Sequence, residues 1–287
     1  MKKKLAVSLV TGIALASALG ASPAVAVTVT MCMPTGFMRD GMNLTAAMIA
    51  DGDVSGQTVD ATGCNIGIYY GPGTSGTVAG SAVSGSNYFG IVATGEDGDV
   101  DQCLGHVGTT SVDVTNSNIH NIGEKPFNGT QHGVGVYYRA FCDGASATGA
   151  ISGNAVYLYQ KGGNVANGPN TGVSISGNAV AGRGPIPDIA QNGIQIGFGG
   201  DGMIMRNQVT GHSYIGPGGV SSAGILIFGG CEAPLLRGPD NHRGADREER
   251  PREQCGCRRQ RHGRGAGQLR PDLLDGAGHG HEQQSDQ

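Results

Sequence analysis

The chain has 287 residues, 53 of them glycine, and a formal net charge of −4. Between Val27 and Cys231 there are 6 cations against 13 acids, a formal charge of −7 for this segment. An acidic body is a poor partner for phosphate backbones, so we expect no nucleic-acid partner. The length of this segment is enough for one domain with a continuous core.

The first 26 residues have the pattern of a secretory signal peptide. Lys2, Lys3 and Lys4 precede an apolar run over 5–19, and Ala24-Val25-Ala26 is a small-residue cleavage site. The run is shorter than the ~20 residues that a membrane-spanning helix needs. We predict removal of residues 1–26 and a secreted, extracellular protein with no membrane partner, in a compartment where disulfides persist.

Residues 27–50 are predicted to form an N-terminal cap. The stretch "NLTAAMIA" (43–50) is expected to be a short helix over the first turn of the body. The chain has seven cysteines, an odd number, and the sequence leaves their connectivity open. Cys32 and Cys64 are placed to bridge the cap to the body.

A short pattern recurs six times along the body: an apolar residue, two residues, a small polar residue, one residue, and an apolar residue. Its copies are Val54–Gln57–Val59, Val78–Ser81–Val83, Val114–Ser117–Ile119, Ile151–Asn154–Val156, Ile175–Asn178–Val180 and Ile204–Asn207–Val209. The unequal spacing between copies predicts a fixed strand–turn–strand unit joined by loops of variable length.

A second pattern alternates with the first and predicts further short strands. Its copies are "CNIGIYY" (64–70), "GIVATG" (90–95), "GVGVYYR" (133–139), "GGNVANG" (162–168), "GIQIGFG" (193–199) and "GILIFGG" (224–230). Apolar residues alternate with small or polar ones, as half-buried strands require. The glycine density argues against helices.

Stacked units would bring the polar members of the first pattern together. Asn154, Asn178 and Asn207 would lie above one another at the strand spacing of ~4.8 Å. Asparagine tolerates a left-handed backbone and can bond to a neighbouring turn. We therefore predict a structural asparagine ladder, continued by Gln57, Ser81 and Ser117.

The stretches "VSISGNAVAG" (173–182) and "MIMRNQVTG" (203–211), each followed by a second-pattern strand, resemble repeats of right-handed parallel β-helix proteins. This pectate-lyase-like superfamily includes pectate lyases and polygalacturonases. The resemblance covers residues 51–230 and implies an all-β, right-handed parallel β-helix of about six coils over 51–231. It is specific for architecture and weak for activity.

From Glu232 the composition changes completely. Residues 232–287 contain no Val, Ile, Thr, Phe, Tyr, Met or Lys, and ten Arg are balanced by ten acids. Such a composition arises when a GC-rich gene is read out of frame, and we predict a disordered, frameshifted tail. The balanced charge leaves no basic field for nucleic acid. A solenoid that ends near Gly230 would expose its interior, which predicts self-association at that end.

The resemblance directs attention to a polar stripe beside the second-pattern strands. Counting back two positions from their opening glycines gives a column with Gln131, Lys161 and Gln191, and counting back one gives a column with His132 and Asn192. With the outward position Gln195, the candidate substrate-binding residues are Gln131, Gln191, Asn192 and Gln195. Such a stripe, fed by long loops, suits an extended carbohydrate.

Catalysis on an acidic sugar chain would need a cation beside the carboxylate and a base for the neighbouring proton. Lys161, Arg139 and Arg183 are candidate cations, and His132 or Lys161 is the candidate base. Hydrolases of the superfamily use clustered Asp residues, whereas Asp188 stands alone here. The calcium-plus-Arg set of its lyases has no complete match.

A calcium site is one interpretation of the acidic loop "EDGDVD" (96–101). Asp97, Asp99 and Asp101 alternate, and calcium prefers such oxygen ligands. The other interpretation is a solvated acidic loop. It is favoured because the loop lacks the glycine and the terminal glutamate of an EF-hand.

Two function classes remain open. One is a non-catalytic binding or structural solenoid that contacts extracellular or cell-wall polysaccharide, which we favour. The other is a polysaccharide lyase or glycoside hydrolase. A complete acid/base or calcium-plus-Arg constellation on one face would discriminate between them.

Overall fold

The structure, a computed structural model, describes residues 25–28, 31–99 and 103–229. The predicted tail, and the predicted signal peptide apart from Val25 and Ala26, lie outside these residues. Within the described residues every regular element is a strand, so the fold is all-β. The strands are β1 (Val25–Thr28), β2 (Met33–Arg39), β3 (Met42–Ile49), β4 (Val54–Ser55), β5 (Gln57–Asp60), β6 (Ile66–Tyr70), β7 (Ser75–Ala79), β8 (Ala82–Ser84), β9 (Phe89–Thr94), β10 (Gly98–Asp99), β11 (Thr109–Thr115), β12 (Asn118–Ile122), β13 (Val134–Arg139), β14 (Ser146–Ser152), β15 (Ala155–Tyr159), β16 (Gly162–Asn167), β17 (Thr171–Ser176), β18 (Ala179–Ile186), β19 (Asn192–Gly197), β20 (Asp201–Met205), β21 (Gln208–Tyr214) and β22 (Ala223–Phe228).

The strands form three sheets, each of which takes its strands from successive repeats. Sheet A has the order β1-β5-β8-β12-β15-β18-β21, sheet B has the order β10-β2-β3-β6-β9-β13-β16-β19-β22, and sheet C has the order β20-β17-β14-β11-β7-β4. Every pairing between these strands is parallel except that of β2 with β3. The chain therefore winds as a β-solenoid with three stacked parallel sheets.

The first sequence pattern is the corner between sheets C and A. Its first members align in one column of sheet C, where Ile151 pairs with Ile175 and Ile175 with Ile204. Its last members align in sheet A, where Val156 pairs with Val180. The six-residue pattern therefore predicted the β-register as well as the strands.

The expected N-terminal helix is wrong. Residues 42–49 form β3, which pairs antiparallel with β2 and parallel with β6. The turn between β2 and β3 contains Asp40 and Gly41, both with positive φ (51° and 73°), which suits the tight turn of a hairpin. The ladders that β3 forms with β2 and β6 outweigh the local helix preference of "NLTAAM".

Glycine near the start of the sheet B strands is required by close packing against sheet A. A Cβ built on Gly163 would lie 2.6 Å from Val180 Cγ1 and would also overlap the Gly193 carbonyl oxygen of the next strand. Gly90, Gly135 and Gly193 meet the same two obstacles, an apolar side chain of sheet A and the carbonyl of the following glycine. Any larger residue would force the sheets apart.

Two apolar clusters lie on opposite faces of sheet B. The first fills the interior of the solenoid and includes Tyr70 and Tyr138. The second lies on the outer face and includes Tyr69, Phe89 and Tyr137, with the Phe89 and Tyr137 rings stacked at 4.8 Å between centroids. Adjacent tyrosines thus divide between the two clusters because side chains alternate along a strand.

Two disulfides fasten the first half of the fold. Cys32–Cys64 joins the segment before β2 to the turn before β6, as the sequence allowed. Cys103–Cys142 closes the loop that contains β10 onto the turn after β13. Among the described residues no helix is long and apolar enough to cross a membrane.

Candidate functional site

A groove of about 360 Å³ lies beside the ends of the sheet B strands where the later repeats begin. Lys161 immediately precedes β16 and Asn192 begins β19, so the parallel register places them in neighbouring coils. The groove is lined by Gln131, Lys161 and Asn192 from the predicted stripe and by the candidate Asp188, together with Tyr214 and Ser221. Its volume falls in the ~300–1,000 Å³ range of ligand pockets.

A buried glutamine holds the loop on one side of the groove. Gln160 is fully buried, and its Nε2 donates to the Thr130 carbonyl oxygen at 2.8 Å and to Asn128 Oδ1 at 3.1 Å. Its Oε1 accepts from the Glu124 N–H at 2.9 Å. Gln160 therefore fixes residues 124–130, including Gly129 at the groove edge.

Gln191 holds the backbone on the other side of the groove in the same way. It is fully buried, and its Nε2 donates to the Tyr159 carbonyl oxygen at 2.6 Å while its Oε1 accepts from the Arg183 N–H at 2.8 Å. The structure thus places this predicted substrate-binding residue inside the fold, where it positions the loop that carries Asp188.

Several polar groups at the groove already form hydrogen bonds with one another or with the backbone. Lys161 Nζ donates to the Ala190 carbonyl oxygen at 3.0 Å. Asn192 Nδ2 donates to Gln195 Oε1, and Gln195 Nε2 donates to Asn167 Oδ1, both at 3.0 Å. Gln195 does not line the groove but, with Gln131 and Lys161, lines a smaller adjoining cavity of about 20 Å³. The two cavities share Gln131 and Lys161.

Arg139 lies away from the groove in a buried ion pair. Its Nε is 2.8 Å from Glu96 Oε1, and both side chains are at least nine-tenths buried. Glu96 Oε2 accepts from the N–H groups of Phe141 and Cys142 at 2.8 and 2.7 Å. Arg139 also stacks on the Phe141 ring at 4.3 Å. Arg139 therefore ties the end of β13 to Glu96, which also binds the backbone of the following turn.

Arg183, in β18, packs against the loop at residues 124–130 that flanks the groove. Its guanidinium carbon lies 3.6 Å from the centroid of the Phe127 ring. Burial lowers the pKa of Arg183, and the nearby Asp188 carboxylate opposes this shift. Arg183 therefore stiffens the groove walls without lining the cavity.

His132 also lies outside the groove lining. Its Nε2 is 2.7 Å from Glu124 Oε1, and its ring stacks on Tyr88 at 3.9 Å between centroids. Burial, with a smaller effect of Asp40, raises the pKa of Tyr88 to about 12, so the phenol stays neutral. His132 is thus held by a carboxylate and a ring on a different side of the loop.

The register of His132 differs from the sequence-based alignment. In sheet B, Gly162 pairs with Val134 and with Asn192, so His132 is two residues out of the predicted column. The sequence "GVGV" offers two glycines, and Gly135 rather than Gly133 occupies the close-packed position. Gln131 reaches the groove through its loop instead.

The acidic loop lies near the N-terminal hairpin, away from the groove. Asp97 Oδ1 accepts from the His106 N–H at 2.7 Å, and its carboxylate also contacts the His106 ring. Asp99 pairs through its backbone with Leu104, and Asp101 lies outside the described residues. Among the residues that the structure describes, no three His, Cys, Asp or Glu side chains come together as metal ligands.

The asparagine ladder is a continuous hydrogen-bonded stack. Asn178 Oδ1 accepts from the backbone N–H and the Nδ2 of Asn154, at 2.9 and 3.0 Å. Asn207 Oδ1 accepts from the same two groups of Asn178, at 2.9 and 2.8 Å. Ser117 and Ser81 continue the stack with their hydroxyls, whereas Gln57 joins it only through its N–H. The hydrogen bonds of this ladder satisfy the polar groups at the corner between sheets C and A.

Sequence reasoning missed three residues of this region. Gln160 directly precedes Lys161, and only its burial in the structure reveals its role. Tyr214 and Ser221 come from the last repeat and reach the groove because β21 and the following loop pass beside β19. No local pattern marks them, since they enter the groove through the stacking of coils.

Comparison of the chain with protein-family models, with curated proteins and with solved structures finds no match. The groove is therefore the feature of the chain that indicates a function. It offers one ammonium group, one carboxylate, two amides, a phenol and a hydroxyl along one face of a rigid scaffold. Hydrogen-bonding groups of mixed type beside an aromatic ring are suited to a hydroxyl-rich ligand.

Proposed function

We propose that the chain is an exported, right-handed parallel β-helix of about six coils, related to the pectate-lyase-like superfamily, whose groove binds extracellular or cell-wall polysaccharide without catalysis. The observation that carries the proposal is the groove in which Gln131, Lys161 and Asn192 come from three successive coils. At ~4.8 Å per coil the groove runs along the solenoid, as an extended polymer requires.

The groups in the groove can bind a sugar that carries both a carboxylate and several hydroxyl groups. Lys161 can neutralise a uronate carboxylate, while Asp188 and the amides can accept and donate hydrogen bonds to hydroxyls. Tyr214 supplies a ring that can pack against the apolar face of a sugar. The rigid anchoring of both loops by Gln160 and Gln191 reduces the entropy lost on binding.

Retention on an immobilised uronate polymer tests this proposal. We expect Lys161→Ala to weaken retention by about tenfold, the effect of one charge-assisted hydrogen bond, and added salt to weaken it as well. Lys125→Ala is the matched control, because Lys125 is exposed and does not line the groove. Unchanged retention of Lys161→Ala, or equal loss in both variants, would contradict groove binding.

A lyase or hydrolase activity is the second candidate, favoured by the presence of Lys161 and Asp188 in one groove. Lys161 would serve as the base of a lyase, or Asp188 as the acid of a hydrolase. Ultraviolet absorbance of an unsaturated product tests the lyase, and new reducing ends test the hydrolase. Either signal, lost in Lys161→Ala or Asp188→Asn, would replace the binding function with catalysis.

A further inference from the structure

The last coil that the structure describes, formed by β20, β21 and β22, exposes interior positions that are buried in the coil before it. Ile194 and Ile196 in β19 are 0% and 4% exposed, whereas Ile225 and Ile227, their register partners in β22, are 50% and 68% exposed. The same side chain, at the same place in the repeat, is buried in one coil and exposed in the next. The open face therefore exposes side chains at positions that belong to the apolar interior in the preceding coil.

The backbone of the last coil also lacks part of its bonding. Asn207 accepts from Asn178, as each ladder member accepts from the one before it. In the described part of the chain the Asn207 N–H has no acceptor, although the N–H of Asn154 and of Asn178 each donates to the next asparagine. The strands of this coil are the edges of the three sheets in the described residues, and unpaired strand edges recruit further strands.

The outer side of sheet C changes character in the same coil. Ser174 and Ser176 of β17 pair with Met203 and Met205 of β20, which are 52% and 42% exposed. An outward polar pair is thus replaced by two methionines. Exposed methionines are adaptable contact residues, so this position favours a surface that is covered by a partner.

The opposite end of the solenoid cannot accept this face. There the hairpin of β2 and β3 extends sheet B, and the interior positions Ala47 and Val54 are each only 8% exposed. Residues 232–287 follow in the sequence, and they contain no Val, Ile, Thr, Phe or Tyr, the residues that strands favour. The best complement available to the open face is the same face of another copy.

We propose that two copies of the chain associate end to end through this last coil, with β22 antiparallel to the β22 of the second copy. An edge strand is a suitable antiparallel partner for itself, and a two-fold contact closes the assembly at two copies. Ile225 and Ile227 lie in the centre of the interface, and Met203 and Met205 lie at its rim.

Sedimentation velocity of the mature chain over a range of concentrations tests the proposal. We expect a monomer–dimer equilibrium whose dissociation constant rises at least tenfold in Ile227→Lys. Leu104→Lys is the matched control, because Leu104 is 62% exposed in the loop near β10, and it should leave the equilibrium unchanged. Hydrogen exchange of the β22 amides, measured in parallel, should slow as the concentration rises.

Three outcomes would overturn the proposal. A monomer at all concentrations with slow exchange in β22 would mean that the chain covers its own end. Larger open-ended assemblies would exclude a two-fold contact. Equal weakening by Ile227→Lys and Leu104→Lys would place the contact elsewhere. If Ile227→Lys fails to fold, Met203→Lys on the outer side of the same coil provides the same comparison.

Discussion

The two ends of the solenoid differ in how they protect the interior. At the N-terminal end a hairpin, a disulfide between Cys32 and Cys64, and the strand β1 enclose interior side chains such as Val59, which is fully buried. At the C-terminal end of the described solenoid, Ile225 is half exposed although its register partner in the preceding coil, Ile194, is fully buried. The repeat pattern is present at both ends, so the protection of the N-terminal end comes from the hairpin and the disulfide rather than from the coil itself.

This difference shows how much of its apolar surface one repeat can bury without its neighbours. Each coil buries one side against its predecessor and depends on its successor for the other. Interior coils therefore gain from two neighbours, whereas a terminal coil gains from one unless a cap or a partner supplies the second. The energetic value of a residue should depend on its coil as much as on its type.

The largest expected effect comes from opening the protected end. Replacing Cys32 and Cys64 together by serine removes a cross-link over 32 residues, which should lower the free energy of unfolding by about 3–4 kcal/mol. Denaturant unfolding of the double variant and the parent measures this loss. Hydrogen exchange should show β2 and β3 becoming as labile as β22, and unchanged protection there would mean that the hairpin alone is sufficient.

The ladder provides the next comparison between a covered and an open coil. Asn178 is 1% exposed and bonded on both sides, so Asn178→Ala should cost about 1–3 kcal/mol by leaving turn groups unpaired. Asn207→Ala should cost less, because its coil has no described successor and water can reach the freed groups. Chemical denaturation of both variants measures the difference, and equal costs would contradict an open last coil.

A single methylene gives a smaller and more conservative test. Ile194→Val should cost about 0.5–1.5 kcal/mol, since Ile194 is fully buried. Ile225→Val, at the paired position of the next coil, should change the free energy of unfolding of the monomer by much less. Measurements at low protein concentration keep association out of the comparison, and a loss at Ile225 equal to that at Ile194 would show that the end is covered.

The smallest expected effect is a dependence on pH at the open end. His212 of β21 bonds to the Tyr159 hydroxyl, and burial lowers the pKa of His212 below its ordinary value of 6.5. Protonation therefore favours the unfolded chain, whose histidine titrates at the ordinary value. The free energy of unfolding should be unaffected above that value and should fall as the pH drops below it.

His212→Gln should reduce this fall in stability, and thermal unfolding at several pH values measures it. The control is His106→Gln, because His106 is exposed and lies in the loop near β10. If the two variants show the same pH profile, His212 does not cause the dependence.

Much of the scaffold was readable from the sequence. The apolar positions of the first pattern predicted which residues share a column, because the corner between two sheets needs the same spacing in every coil. The asparagines predicted the ladder for the same reason. The segment 43–50 could not be assigned correctly, since its strand state depends on pairing with β6, which is distant in sequence.

The candidate site was readable only in part. Lys161 and Asn192 adjoin recognisable strands, and both line the groove. Gln191 and Arg139 were expected on the surface, but one anchors a loop and the other is buried in an ion pair with Glu96. Polar residues beside a strand have the same sequence pattern whether they point outward or fold back onto the backbone.

By itself the sequence determined the repeating part of the protein: strands that stack, a ladder at one corner, and glycines where two sheets approach. These features depend on spacing within a coil, which is local. Only the tertiary structure decided which loops meet at the groove, which polar side chains are consumed in holding them, and that Ile225 and Ile227 lie on an open face. Those outcomes depend on what stands above and below each coil, and no single repeat contains that information.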